Sequence, residues 1–370
     1  MSTKTSTHTN ATYTNGKTLV SSTRVSSQDA LTAEETYSAK NYQSLPIVFS
    51  HAQGASVWDP EGRHYLDFHA ASTALNHGHC HPKLVATLVE QASRLTLTSR
   101  AFHNDIYPQF AALVNKLFGY DRVLPASTGA EASETAIKIA RKWAYKVKGV
   151  PENRAIVLGA AGNHHGRTLA TIALASDSMS RDLYGPLDPN ISCTIPGTNR
   201  HIEYNNKAAL LEAFEAAGSN LAAFIVEPIQ GDAGVIVADD EYLQYARALC
   251  DKSNVLLICD EIQTGIGRTG KFLGHYWSGI KPDMVLLGKT MTGGMYPVSC
   301  VLGNDEVMLT VEPGTHGSTY GGNPLGAALK SSRTGIIRIS PPLVVTEDQI
   351  RWSLGIMQQC IEELLQLPPV

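Results

Sequence analysis

Two side chains carry the first chemical hint. Lys289 follows the apolar run Met284–Leu287 and Gly288, and Asp260 follows the apolar run Val255–Cys259. A lysine beside a buried strand end becomes an amine nucleophile once its charge is disfavoured, and can then form a Schiff base. An aspartate at a neighbouring strand end can keep a pyridinium nitrogen charged, which pyridoxal 5'-phosphate (PLP) chemistry requires. The two lie 29 residues apart. A surface lysine and a helix-capping aspartate would produce the same spacing, so both readings stay open on these residues alone.

Ser127-Thr128-Gly129-Ala130 opens a helix, where free backbone N–H groups and the helix dipole suit a phosphate. The same tetrapeptide also reads as an ordinary N-cap. Gly317-Ser318-Thr319-Tyr320-Gly321-Gly322-Asn323 is a second glycine and hydroxyl loop, equally open. Two other patterns point away from their familiar meanings. Gly265, Gly267 and Gly270 match the GxGxxG dinucleotide fingerprint, yet Glu261–Thr264 separates them from the strand and no clean helix follows. His77-Gly78-His79-Cys80-His81 has neighbouring side chains pointing apart and no second ligand pair. It reads as a turn before a helix at Pro82, not as a zinc site.

The elements that must position these residues alternate. Ser56–Phe68 reads as strand, Asp59-Pro60-Glu61-Gly62 turn, strand. Helical periodicity runs over Pro82–Leu95, Pro108–Phe118, Ala130–Lys146 and Tyr242–Asp251. Ala155–Leu158, Ala222–Val226, Val255–Cys259 and Met284–Leu287 are short apolar strands. The alternation predicts an α/β fold: a mostly parallel sheet with helices on both faces, and ligands beyond the carboxyl ends of the strands.

The bulk numbers fit. The chain has 370 residues, 43% hydrophobic and 17% charged, enough for two domains with a large core. A net charge of −4 argues against bulk attraction to nucleic acid or a membrane surface, and no run approaches a membrane span. Six scattered cysteines without a CxxC pair fit a reducing compartment. In residues 1–28, 14 are Ser or Thr and no acid appears before Asp29. That stretch, read out to residue 40, is expected to be a disordered cytosolic tail. A mitochondrial transit peptide is the other address, although it would want more arginine.

Taken together, these residues resemble the class III PLP-dependent aminotransferases, of PLP fold type I. The resemblance runs from about Asn41 to Leu325 and again from Gly335 onward. Leu95–Phe102 (LTLTSRAF), Asp260–Gly265 (DEIQTG), Leu286–Lys289 (LLGK) and His316–Gly326 (HGSTYGGNPLG) carry it. It implies that Lys289 attaches the cofactor and then shuttles the proton, that Asp260 pairs with the ring nitrogen, and that Gln263 sits near the ring hydroxyl. Gly129 and Ala130 would give N–H groups to the phosphate, and Thr319 would reach the phosphate of the neighbouring subunit, making a homodimer obligatory. Tyr42 and Arg167 would hold the α-amino and carboxylate end of ornithine, and Arg338 the carboxylate of 2-oxoglutarate. The implied reaction moves ornithine's δ-amino group to 2-oxoglutarate, giving glutamate 5-semialdehyde and glutamate. Glu227 matches the acid that opens the family's EPIQG run. The implied domains are a hairpin segment over 41–69, a large PLP-binding domain over 70–325 and a shortened small domain over 326–370.

The departures from the family are specific. Asp232 replaces a glutamate that pairs with the Arg338 equivalent, Ser72 replaces a tyrosine of the substrate pocket, and His164 replaces an aromatic that stacks on the cofactor ring. Arg167 with Tyr42 favours ornithine, whereas Ser72 weakens it against a neighbouring ω-aminotransferase of 4-aminobutyrate or acetylornithine type. Between Lys330 and Ser331, on the order of 70 family residues are missing, about half a typical domain. That gap implies weak support for a strand over Ile336–Ile339 and for Arg338, hence impaired turnover or, as the other reading, a catalytically dead product of an altered splice or gene model, at most a dimerisation partner. A last helix is expected over Glu347–Leu365, capped by Thr346.

Overall fold

The computed structural model describes residues 25–329 and 345–352. The described residues divide into two compact units: 25–52 with 57–65, and 53–56 with 66–329 and 345–352. The first opens with a helix, Ser27–Tyr37, where a disordered tail was expected through residue 40. Ser26 caps it, accepting from the Asp29 N–H, and strong helix formers follow. The Ser/Thr-rich composition had masked that cap. In the same unit, buried Asp59 accepts from the Arg63 backbone N–H at 2.8 Å and from Tyr65 Oη at 3.0 Å, closing the predicted turn. Strands β1 (His51–Gln53), β2 (Ser56–Trp58) and β3 (His64–Leu66) form one small sheet.

The second unit is built on seven strands: β4 (Arg122–Ala126), β5 (Ile156–Gly159), β6 (Ile191–Ser192), β7 (Leu221–Val226), then β10 (Leu256–Asp260), β11 (Met284–Leu287) and β12 (Ser299–Gly303). A two-residue ribbon, β8 (Ile229–Gln230) with β9 (Ile236–Val237), lies between β7 and β10 in the chain. The large sheet has the order β4-β12-β11-β10-β7-β5-β6. Its centre is parallel, and β12 and β4 close one edge antiparallel. β4 carries Pro125, which has no N–H to give and so suits an edge.

Both faces of the sheet are covered, as the alternation predicts. Ile258, Met284 and Leu286 pack with Ala136 and Ile139 of the helix Gly129–Trp143. Leu257 and Cys259 face the helices Lys207–Ala217 and Asp240–Ser253, while Val285 and Leu287 pack with Phe110 and Val114 of the helix Tyr107–Phe118. Among the described cysteines, 193, 250, 259 and 300 are buried and Cys80 is exposed. The helix expected over Ala130–Lys146 is α-helical only to Trp143 and then widens to a π-turn over Ala144–Lys148.

Two of the misleading patterns resolve locally. The GxGxxG segment is a run of turns organised by Glu261, whose buried carboxylate accepts from Gly274 N–H at 2.8 Å and His275 N–H at 2.8 Å. No helix follows Gly270 until a short 3₁₀ turn at Gly274–Trp277. In the His77–His81 segment, Gly78 and Cys80 take left-handed backbone, His79 Nε2 meets Asp67 Oδ2 at 2.7 Å, and the helix Pro82–Arg94 begins at once.

The strand expected at Ile336–Ile339 lies outside the described residues, as does Arg338. Of the expected last helix, residues 347–352 are described and helical, and Thr346 Oγ1 accepts from the Gln349 N–H at 3.2 Å.

Candidate active site

The register of the central strands brings Asp260 and Lys289 to one end of the sheet. Asp260 is the last residue of β10 and pairs in register with Leu286 of the parallel neighbour β11; Lys289 follows three residues later. Lys289 itself has φ +42°, a left-handed conformation that a side chain adopts only under local constraint. Burial holds its amine below the ordinary lysine range, against the opposing pull of Asp232, Asp260 and Glu227. Among the described residues, no hydrogen bond or ion pair engages its Nζ. A partly desolvated, unengaged amine among carboxylates is equipped for nucleophilic attack.

Asp260 is buried and fixed from two sides. Its Oδ1 accepts from the Ile262 N–H at 3.0 Å, and its Oδ2 lies 2.7 Å from His165 Nδ1. Burial works against a charged imidazole at His165, but the Asp260 carboxylate outweighs it and raises the pKa. His165 carries no signal in the sequence, because a contact across 95 positions leaves no local pattern. Glu227 lies close enough to feel both; burial pushes its carboxyl up to about 7, with His165 opposing, and its Oε2 accepts from the His164 N–H at 3.0 Å.

The helix Gly129–Trp143 begins with a capping box. Thr128 Oγ1 accepts from the Glu131 N–H at 3.2 Å, and Glu131 Oε2 accepts from the N–H groups of Ser127 and Thr128 at 2.7 Å each. This leaves the N–H groups of Gly129 and Ala130 as the donors without an acceptor among the described residues. Gly166, at φ +131°, packs so closely on Ala130 that a Cβ there would come within 2.8 Å of Ala130 Cβ. That contact seats the His164–Arg167 loop beside the helix start. Gln263 lies against Gly231, where an added Cβ would fall 1.5 Å from Gln263 Oε1.

A cleft of about 220 Å³ runs past His164, Arg167, Asp177 and Asp232. Arg167 faces Asp177 across 3.7 Å, and His164 Nδ1 lies 3.3 Å from Asp232 Oδ2. Burial lowers the His164 pKa, with Asp232 opposing. Asp177 carries no signal of its own in the sequence, since its approach to Arg167 joins residues ten positions apart. Thr319 is exposed in the single chain, in a different stretch of surface loop. Ser72 is exposed beside His69, whose Nε2 is 3.2 Å from its hydroxyl. Tyr42 belongs to the first unit and is exposed.

A nucleophilic lysine and a buried aspartate at adjacent strand ends, with a phosphate-ready helix start, define an aminotransferase-like site. The chain belongs to the aminotransferase class-III family, whose profile matches residues 37–333. Within that family it is similar to ornithine aminotransferases. The one from Emericella nidulans is 72% identical over 304 residues, covering 82% of this chain and 67% of that protein. A solved ornithine aminotransferase from Toxoplasma gondii, described as having partial PLP occupancy at its active site, is 45% identical with a TM-score of 0.78. It covers 82% of this chain and 69% of that one. An acetylornithine aminotransferase from Elizabethkingia anophelis is 41% identical with a TM-score of 0.71, over 92% of this chain and 80% of that one. PLP is the cofactor of this family, and the unengaged Lys289 amine, the free Gly129 and Ala130 donors and the Asp260 carboxylate suit its aldehyde, phosphate and ring nitrogen.

Proposed function

We propose that the protein is an ornithine aminotransferase, moving the δ-amino group of ornithine to 2-oxoglutarate. The observation that carries this reading is the free Lys289 amine one strand away from buried Asp260, in a chain 72% identical to an ornithine aminotransferase. When bound, PLP supplies an aldehyde that captures the amine and a ring that accepts the electron pair left by proton removal. Lys289 takes the proton from the amine-bearing carbon and returns it on the cofactor side. Asp260 holds a proton at the ring nitrogen, and His165 holds Asp260. Gly129 and Ala130 grip the phosphate, Gln263 the ring hydroxyl, and His164 lies against the ring. Glu227 fixes the His164 backbone, as its bond to that N–H supports.

Arg167 binds the substrate's carboxylate end and leaves the far amine facing Lys289. Asp177 occupies Arg167 when no substrate is present, a reading their 3.7 Å approach supports. Arg338 takes the 2-oxoglutarate carboxylate in the second half-reaction, and Asp232 pairs with Arg338 while ornithine is bound in the first. Two chains form the dimer, each lending Thr319 to the other's phosphate, and the exposure of Thr319 in the single chain favours that role. The cytoplasm is the proposed address. The mitochondrial matrix is the second one, since relatives from Arabidopsis thaliana and Drosophila ananassae are named mitochondrial. Among the described residues, no helix is long and apolar enough to cross a membrane.

Exposed Ser72 favours one other reading, an acetylornithine-type enzyme, because a small residue leaves room for an acylated amine. The purified protein with PLP settles the choice when ornithine, acetylornithine and putrescine are compared with 2-oxoglutarate as acceptor. Ornithine is expected to give the highest kcat/KM, with glutamate 5-semialdehyde as product; acetylornithine winning would overturn the assignment. Arg167→Leu should raise KM for ornithine by about 100-fold, the value of a lost charge-assisted carboxylate bond, and change putrescine little. Equal losses on both substrates would make Arg167 a structural residue.

A further inference from the structure

The segment leading to Thr319 is held along one exposed face of the helix that starts the phosphate cradle. Lys138, Lys142 and Lys146 recur every four residues, on one side of that helix and its π-turn. Lys146 pairs with Glu312. Lys142 Nζ reaches Glu312 Oε2 at 3.2 Å and Thr315 Oγ1 at 3.0 Å. Lys138 Nζ lies 2.9 Å from Nδ1 of His316. Past Thr319 the chain is pinned again, because a Cβ at Gly321 would meet the Pro125 carbonyl oxygen at 2.6 Å. Thr319 is therefore the exposed middle of a loop fastened at both ends.

His316 is the fastening whose geometry changes with a proton in the range where histidine, not a lysine-paired carboxylate such as Glu312, titrates. Thr135 Oγ1 donates to the Glu131 carbonyl at 2.6 Å, so towards His316 Nε2, at 3.1 Å, it can only accept. Nε2 must then carry hydrogen. A lysine ammonium has donors and no acceptor, so Nδ1 must offer its lone pair to Lys138. Both ring positions are thereby assigned, and only the neutral imidazole satisfies both. A second proton would go on Nδ1, ending the Lys138 bond and setting two cations 2.9 Å apart.

We infer that His316, in its neutral form, is a positioning residue that fastens the Thr319 loop to the cradle helix, so that acidification releases the loop and weakens the grip of each subunit on its neighbour's cofactor phosphate. The inference rests on the proposed reach of Thr319 across the dimer. The groups facing His316 are Lys138 and Glu131 from the helix, with Lys142 and Glu312 flanking its own segment. Partial burial first, then Lys138, hold the imidazole below its ordinary pKa, with Glu131 opposing. The sign follows: the fastening is complete above the unfolded histidine value and is lost as pH falls through the lower folded value.

The test is the apparent Kd for PLP of the dimer, by absorbance titration between pH 5.5 and 8, in the wild type and three variants. His316→Gln presents an amide donor and acceptor but cannot take up a proton. It should remove about tenfold of the wild-type loss of affinity on acidification. Lys138→Met removes both the bond to Nδ1 and the opposing cation, so it should weaken PLP at pH 8 and move the midpoint of the remaining loss to higher pH. Thr319→Ala should weaken PLP about tenfold at pH 8. If His316→Gln and Lys138→Met both follow the wild-type curve while Thr319→Ala binds weakly, the fastening role is wrong and the cross-subunit threonine stands. If Thr319→Ala binds like the wild type throughout, the cross-subunit reading fails and this inference falls with it.

Discussion

Lys289→Ala is expected to lose about 10⁴-fold in turnover, because one side chain both attaches the cofactor and carries the proton. Lys289 lies one strand from Asp260, its burial disfavours the ammonium form, and no neighbour occupies its Nζ among the described residues. Two measurements separate attachment from catalysis. Borohydride should fix PLP to the wild-type chain at residue 289, as peptide mapping would show, and fix none to the variant. The variant should also lose the visible absorbance of the attached cofactor. Label appearing at one other lysine would transfer the role to that residue.

Asp260→Asn should lower kcat by about 10²- to 10³-fold with PLP still bound. Asparagine keeps the size of the side chain and an acceptor for the Ile262 N–H, so the fold and the phosphate grip should persist. What disappears is the carboxylate charge that keeps the ring nitrogen protonated when the substrate carbon loses its proton. His165 loses its charged partner at the same time, so the variant's imidazole should titrate at lower pH than in the parent. Histidine-selective NMR follows that shift independently of turnover. Near-normal turnover in Asp260→Asn would remove the aspartate from the ring nitrogen.

The sheet was readable where its strands are long apolar runs. Met284–Leu287 was found with its bounds, and β5, β7 and β10 within a residue or so, because four to six consecutive apolar residues permit little else in an α/β chain. β4, β6 and β12 went unread: β4 contains Pro125, β6 has two residues, and β12 mixes Ser and Gly with three apolar residues. Each is stabilised by its partners in the sheet more than by its own composition. The same difference separates the site residues. Lys289 and Asp260 stand at strand ends, where topology makes a ligand site, so a one-dimensional reading reaches them. His165, Asp177 and the proton-dependent bonds of His316 exist only through contacts between distant segments. The family resemblance supplied Arg167 and Gln263, and gave Thr319 its role within a glycine and hydroxyl loop that its own residues left open.

The burial of four cysteines makes the large sheet its own stopwatch. Cys259 lies on β10 and Cys300 on β12, Cys250 on the helix packed against β10, and Cys193 just past β6, and burial raises the thiol pKa of all four. In the native protein such thiols are doubly protected, by lack of access and by a vanishing thiolate fraction. Exposed Cys80 should react with an aromatic disulfide reagent at once, and these four only as the strands separate. The slow phase of thiol release then times the opening of the framework that carries Asp260 and Lys289. A ligand that ties those two strand ends together would lengthen it in proportion to its hold on the closed form.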